Sequence, residues 1–101
     1  MSSSNAAPPG TSVVVPVYNE ADSLVELHRE IRQAGAAIGQ EVEIIFVDDG
    51  STDASWDRIV QLQRQDPDVS ALRFRRNFGK AAALAAGFSL ARGEQIGRAH
   101  V

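Results

Sequence analysis

Three short stretches of the sequence carry residue types that can do chemistry. The first is Pro16, Val17, Tyr18, Asn19 and Glu20. A rigid proline, an aromatic ring with a hydroxyl and a carboxylate stand together where a dinucleotide-binding fold would place glycines. No G-x-G-x-x-G occurs, so there is no backbone cradle for a pyrophosphate at this point. Tyr18 could stack on a base, and Glu20 could accept from ribose hydroxyls or base N–H groups. The local alternative is that Pro16 ends a strand, Asn19 caps a helix and Glu20 favours the helix dipole.

The second stretch is Asp48 and Asp49, at the end of an apolar run. Adjacent carboxylates repel, which makes a purely structural pair a costly choice. One can cap the following turn. The other, facing a cleft, could accept from a nucleobase or ribose, and a metal is the competing chemical use. Turn chemistry is the local alternative, since Gly50, Ser51, Thr52 and Asp53 all suit turns. The third stretch is residues 75–80 (RRNFGK). It brings positive charge to the start of a helix, whose first amides also attract anions. A diphosphate suits such a place, with arginine able to hold it bidentately. A solvated basic loop is the plainer reading.

The elements that must position these residues follow from periodicity. Residues 12–17 (SVVVPV) are a β-branched run of the kind that suits a strand buried on both faces, and residues 42–47 (VEIIFV) and 69–74 (VSALRF) are the second and third predicted strands. A helix capped by Asn19, with Asp22 in the capping-box position, is expected to carry Leu24, Leu27, Ile31 and Ala34 inward. Gly35 and Gly39 are expected to end it. Trp56, Ile59, Val60 and Leu62 give the next helix an apolar side. An alanine-rich helix spans about 79–91, with Leu84, Phe88 and Ala91 directed inward. His28 and Trp56 read as structural.

Alternating strands and helices imply an α/β fold, a Rossmann-like parallel sheet with flanking helices and right-handed crossovers. In such sheets ligands sit at the carboxyl ends of the strands. All three chemical stretches fall there. Asp66, Pro67 and Asp68 spell D-x-D, but they precede the third strand and so lie at the opposite edge, where a turn explains them.

Composition narrows the function. With 101 residues, 44% hydrophobic and 23% charged, the chain suits one globular domain. A net charge of −3 gives no electrostatic case for binding nucleic acid. Cysteine is absent, which removes disulfides, thiolate catalysis and cysteine metal sites, and leaves a reducing compartment unopposed. No apolar run approaches the ~20 residues of a membrane span. Residues 1–10 (MSSSNAAPPG) lack the marks of a signal peptide and read as a disordered lead-in.

Together VVVPVYNE, EIIFVDDGSTD and RRNFGKAAALAAG resemble the family 2 glycosyltransferases, and most closely their polyprenyl-phosphate branch, the dolichol-phosphate mannosyltransferase-like enzymes. The resemblance covers residues 12–94. It implies a GT-A-type fold and transfer of a hexose from a UDP- or GDP-sugar donor to a polyprenyl (lipid) phosphate acceptor. It also implies a cytoplasmic setting, the parent protein working at the cytoplasmic face of a membrane. By that resemblance Pro16, Tyr18 and Glu20 line the nucleoside pocket, Asp48 contacts base or ribose, Asp49 neighbours it, and Arg76 and Lys80 lie by the nucleotide. Mg²⁺ or Mn²⁺ would be bound by a D-x-D motif at the end of the next strand, beyond these residues, so no metal ligand or catalytic residue is assigned here. Residues 11–95 are read as a partial domain of this kind. Residues 96–101 (IGRAHV) match the translation of a widely used sequencing adapter, and the reading expects a truncated gene fragment, inactive alone. Without a fourth strand, the first strand is expected to present an open apolar edge. The alternatives are a nucleotide-binding α/β module without catalysis, or a gene fragment without function.

Overall fold

The computed structural model describes residues 9–99. Residues 1–8 of the expected lead-in, and residues 100–101, lie outside the described residues. The order of elements is β1 (Thr11–Val17), a 3-10 turn (Ala21–Ser23), α1 (Leu24–Ala37), β2 (Val42–Asp48), α2 (Ser55–Gln65), β3 (Val69–Arg73), α3 (Lys80–Leu90) and β4 (Gln95–Arg98). The strands form one parallel sheet in the order β3-β2-β1-β4. This is the Rossmann-like α/β architecture expected from the sequence.

The β-branched runs explain the layering. Side chains alternate across a strand, so Val15, Val17, Ile44 and Phe46 face one way, packing with Leu24, Ile59 and Leu62 of α1 and α2. Val14, Ile45 and Val47 face the other way, against Ala83 and Leu84 of α3. Alanine and glycine let α3 lie close to the sheet. A Cβ on Gly87 would stand 2.3 Å from Val14 Cγ1, so no larger residue fits without movement.

Several local expectations are corrected. Asn19 does not cap its own helix. It adopts φ 53°, and a 3-10 turn precedes α1. Gly35 does not end α1 but is buried within it, where a Cβ would meet Val42 Cγ2 at 2.8 Å. That close approach makes Gly35, not Ala34, the inward residue of the last turns. Gly39, at φ 68°, does end the helix. Phe88 is exposed rather than inward-facing, because Gly87 occupies the contact with the sheet.

The expected open edge of β1 is also corrected. β4 pairs with β1 in register Thr11↔Gln95 to Val14↔Arg98, so β1 and β2 are both interior strands. Strand pairing needs backbone donors and acceptors rather than particular side chains, which is why an unremarkable QIGR can supply it. A buried polar cluster aligns the turn that leads into β4. Ser12 donates its hydroxyl to Glu43 Oε2 at 2.5 Å, and Arg92 donates its amide to the same oxygen at 2.6 Å. The Arg92 guanidinium reaches Oε1 at 3.2 Å, and the Gly93 amide donates to Ser12 Oγ at 2.7 Å. At the same end of the sheet, Asp66 accepts from Arg32 at 2.6 Å and pairs with His28 at 2.8 Å, tying α1 to the turn before β3.

Glu43 gives this cluster a pH dependence. Burial alone would raise its pKa, but the Ser12 hydroxyl and the Arg92 amide and guanidinium outweigh burial and hold the carboxyl below the ordinary 4.5. A depressed folded pKa contributes stability that is present above the unfolded value and lost as pH falls through the folded one. Asp66 is held low as well and acts in the same direction. Thermal melts should therefore fall as the pH drops below 4.5. Glu43→Gln should lower stability at neutral pH by roughly 2–3 kcal/mol, the scale of lost hydrogen bonds to a charged group. It should also show a shallower acid decline than the unsubstituted chain. Equal slopes would contradict the role given to Glu43.

Candidate nucleotide-binding edge

Three loops meet at the carboxyl ends of the strands: residues 18–20 after β1, 49–54 after β2, and 74–79 after β3. They are joined by hydrogen bonds that cross between loops. Asn19 Oδ1 accepts from the amides of Thr52 at 2.8 Å and Asp53 at 3.3 Å, and the Asn19 amide donates to Ser51 Oγ at 2.9 Å. The Glu20 amide donates to Ser55 Oγ at 2.9 Å. This exchange explains the left-handed backbone of Asn19, a residue type that tolerates positive φ. Its side chain is directed away from its own helix and onto the next loop.

The two carboxylates take different partners. Asp49 is 4% exposed. Its Oδ1 accepts from the Phe78 amide at 2.7 Å and its Oδ2 from the Gly79 amide at 3.0 Å and Asn77 Nδ2 at 3.1 Å. Gly79 is the N-cap residue of α3 and has no side chain to cap with. The Asp49 carboxylate supplies the missing acceptor and lies at the positive end of the helix. An internal anion thus occupies the two amides just ahead of the first helical residue, Lys80. Gly50, at φ 79°, lets the loops touch through backbone, since a Cβ there would stand 2.4 Å from the Arg76 carbonyl carbon.

Asp48 is fully buried. Its Oδ1 accepts from the Ser51 amide at 3.0 Å. Its Oδ2 is buried with no hydrogen-bond partner among the described residues. Arg73 stands near it, with Nε 3.9 Å from that oxygen, an ion pair rather than a hydrogen bond. At the same edge lies a cavity of about 410 Å³, lined by Gly50, Ser51, Thr52, Arg73, Phe74 and Arg75 but not by Asp48 itself. That size falls in the range of small-molecule pockets.

The other sequence-predicted residues lie at the same edge. Pro16 pairs with Val47 in β1, past the last β4 pairing at Val14, so its missing N–H leaves no gap on the β4 side. Tyr18 is 47% exposed and Glu20 is partly exposed. Arg76 is exposed, its guanidinium 4.4 Å from the centroid of the Phe78 ring. Lys80 opens α3. The rejected D-x-D stays rejected, because Asp66 is engaged with His28 and Arg32 at the far edge. Sequence reasoning missed Arg73, which looked like an ordinary strand residue, and read Trp56 as structural without its contact to Arg73, the ring centroid lying 5.3 Å from the guanidinium. A cation closing an otherwise apolar strand was the available signal.

Among the described residues no group of three His, Asp or Glu side chains could hold a metal ion. Asp49 has both oxygens on N–H donors, and Asp48 offers one. The described residues therefore supply no metal site of their own, and no step is routed through a metal ion.

The sequence profile described as Glycosyl transferase family 2 matches residues 12–99. The chain belongs to this family. It is 43% identical over 86 residues to the undecaprenyl-phosphate 4-deoxy-4-formamido-L-arabinose transferase of Salmonella paratyphi B, a match covering 84% of the chain and 26% of that relative. It thus spans about a quarter of the length of the curated relatives it matches. Among solved structures it is similar to the mannosyltransferase PcManGT from Pyrobaculum calidifontis in complex with GDP-Man and Mn²⁺. The TM-score is 0.73 at 27% identity, covering 89% of this chain and 26% of that one. S. aureus TarS in complex with UDP-GlcNAc shares the fold at TM-score 0.72 and 24% identity, with the same coverage. The GT-A type of this glycosyltransferase fold follows from these likenesses. Among the described residues no helix is long and apolar enough to cross a membrane.

Removing the Asp49 carboxylate tests how the third loop is held. Asp49→Ala should cost roughly 2–4 kcal/mol, because it strands amides at a helix start. It should also speed amide hydrogen exchange at Phe78 and Gly79 far more than at Ile44. Unchanged exchange at those two amides would contradict the assignment.

Proposed function

We propose that this chain is the donor-nucleotide-binding part of a glycosyltransferase that moves a sugar from a UDP- or GDP-sugar to a polyprenyl phosphate. The observation that carries the reading is Asp48, a buried carboxylate with one oxygen fixed by Ser51 and the other without a hydrogen-bond partner among the described residues. A buried acceptor left unpaired costs about 1–3 kcal/mol, and a ligand N–H would recover it. An imide or lactam N–H of a nucleobase is a donor of the right kind. Tyr18 stacks on the base from the first loop, Glu20 accepts from ribose hydroxyls, and Pro16 stiffens the strand end beneath them. Arg76 and Lys80 face the diphosphate as side-chain cations. Asp49 keeps its place in the site as a positioning residue, fixing the loop that carries Arg76 and the helix that begins with Lys80.

The likeness to an undecaprenyl-phosphate transferase supports the lipid-phosphate acceptor, and the structures bound to GDP-Man and UDP-GlcNAc support the two donor classes. Transfer breaks the bond between the anomeric carbon and the diphosphate. The residues assigned here hold the nucleoside diphosphate that leaves. Full activity is assigned to the longer protein. A cytoplasmic setting for it is consistent with the absence of cysteine from this chain.

Calorimetric titration of the chain with UDP and GDP tests the reading. One of the two should bind, and Asp48→Asn should weaken that binding at least tenfold, about 1.4 kcal/mol. This substitution keeps an acceptor for Ser51 and turns the free oxygen into a donor. Equal affinity in the variant would overturn the role of Asp48.

A further inference from the structure

Arg73 stands beside Asp48, at the end of the neighbouring strand. Asp48 Oδ2 is wholly buried, and the Arg73 guanidinium beside it is the flexible neighbour, with a side chain 53% exposed. At 3.9 Å the two charges attract without bonding. The guanidinium rests instead on Trp56, 5.3 Å from the ring centroid, a weak contact at an exposed site. Arg73 also lines the cavity at this edge together with Gly50, Ser51 and Thr52. Its N–H groups therefore lie next to an unpaired carboxylate oxygen, in a pocket, on a support weak enough to exchange.

We infer that Arg73 is a specificity-determining residue, which pairs with Asp48 to read a nucleobase edge that carries an N–H beside a carbonyl oxygen. The inference rests on the nucleotide reading proposed above. Asp48 accepts the ring N–H, and Arg73 leaves the Trp56 ring to donate to the neighbouring carbonyl. Uracil offers that pattern at N3–H and O4, and guanine at N1–H and O6. Cytosine and adenine present the reverse, a bare ring nitrogen beside an amino group. Against them the carboxylate would meet a lone pair and the guanidinium an N–H. A site whose buried polar groups are left unpaired by the wrong ligand rejects it strongly. Trp56 is the sole tryptophan of the chain, so its fluorescence reports the movement of the guanidinium.

The test is titration of the chain, Arg73→Met and Arg73→Lys with UDP, GDP, CDP and ADP, following heat and Trp56 fluorescence. The unsubstituted chain should bind UDP or GDP at least tenfold more tightly than CDP or ADP, with a change in Trp56 emission. Arg73→Met should lower that ratio about tenfold, leave CDP and ADP affinity unchanged, and abolish the emission change. Arg73→Lys keeps the charge but loses the planar fork, so it should recover only part of the ratio. It also decides the question if Arg73→Met does not fold. An unchanged ratio in the variants overturns the role of Arg73 while the nucleotide reading stands. Full recovery by lysine overturns the paired-donor reading in favour of charge alone. Absence of selective binding by the unsubstituted chain overturns both.

Discussion

The carboxylate of Asp49 sits at the positive end of α3 and takes up amides that a helix start leaves unpaired. That contact joins the end of β2 to the loop after β3, and the other arrangements at this edge follow from it. Gly50 can then lie against the backbone of residues 76 and 77. Asp48, the preceding residue, points to the opposite face of the strand, as alternation requires. It is left with one oxygen on the Ser51 amide and one unpaired. The adjacent acids avoid direct conflict because one belongs to the start of α3 and the other to the turn at Ser51.

The opposite edge of the sheet is built the other way. Glu43 and Asp66 are both surrounded by donors, and their carboxyls are held below ordinary values. Their hydrogen bonds run between elements distant in sequence: Ser12 with Glu43, Arg92 with Glu43, Arg32 with Asp66. Such contacts fix the frame. The contrast lies in the acids alone, since Arg32 Nη2 at the frame end is also buried without a hydrogen-bond partner among the described residues. At one end the buried acids are satisfied, and at the other a buried acid keeps an unused acceptor beside a cation that is not bonded to it.

Much of this was legible in the sequence. The runs at β1 and β2 are rich in β-branched and apolar residues because both faces are covered, and that composition reveals strands directly, while the edge strand β3 shows it more weakly. The gathering of Tyr18, Asp48 and Arg76 at one edge follows from the parallel topology alone. The division of labour between Asp48 and Asp49 was not legible, since it depends on where α3 begins in space. Asn19 misled because its type suits a helix cap, while its partners lie on the loop after β2. Glu43 was hidden inside an apolar run, and its meaning depends on Ser12 and Arg92. Arg73 was overlooked for the same reason, because Trp56 and Asp48, which give it a role, come from other elements. β4 escaped notice because backbone pairing, rather than side-chain pattern, holds it on β1.

The central claim is that a nucleoside diphosphate binds at the edge where Asp48 lies. Amide-shift mapping of the chain during titration with UDP and GDP tests it most directly. The expected result is saturable shifts at Ser51, whose amide bonds Asp48, and at Thr52 and Asn19 on the adjoining loops, with little change at Gly93 and Asp68 on the far edge. Shifts confined to the far edge, or none with either nucleotide, would contradict the account.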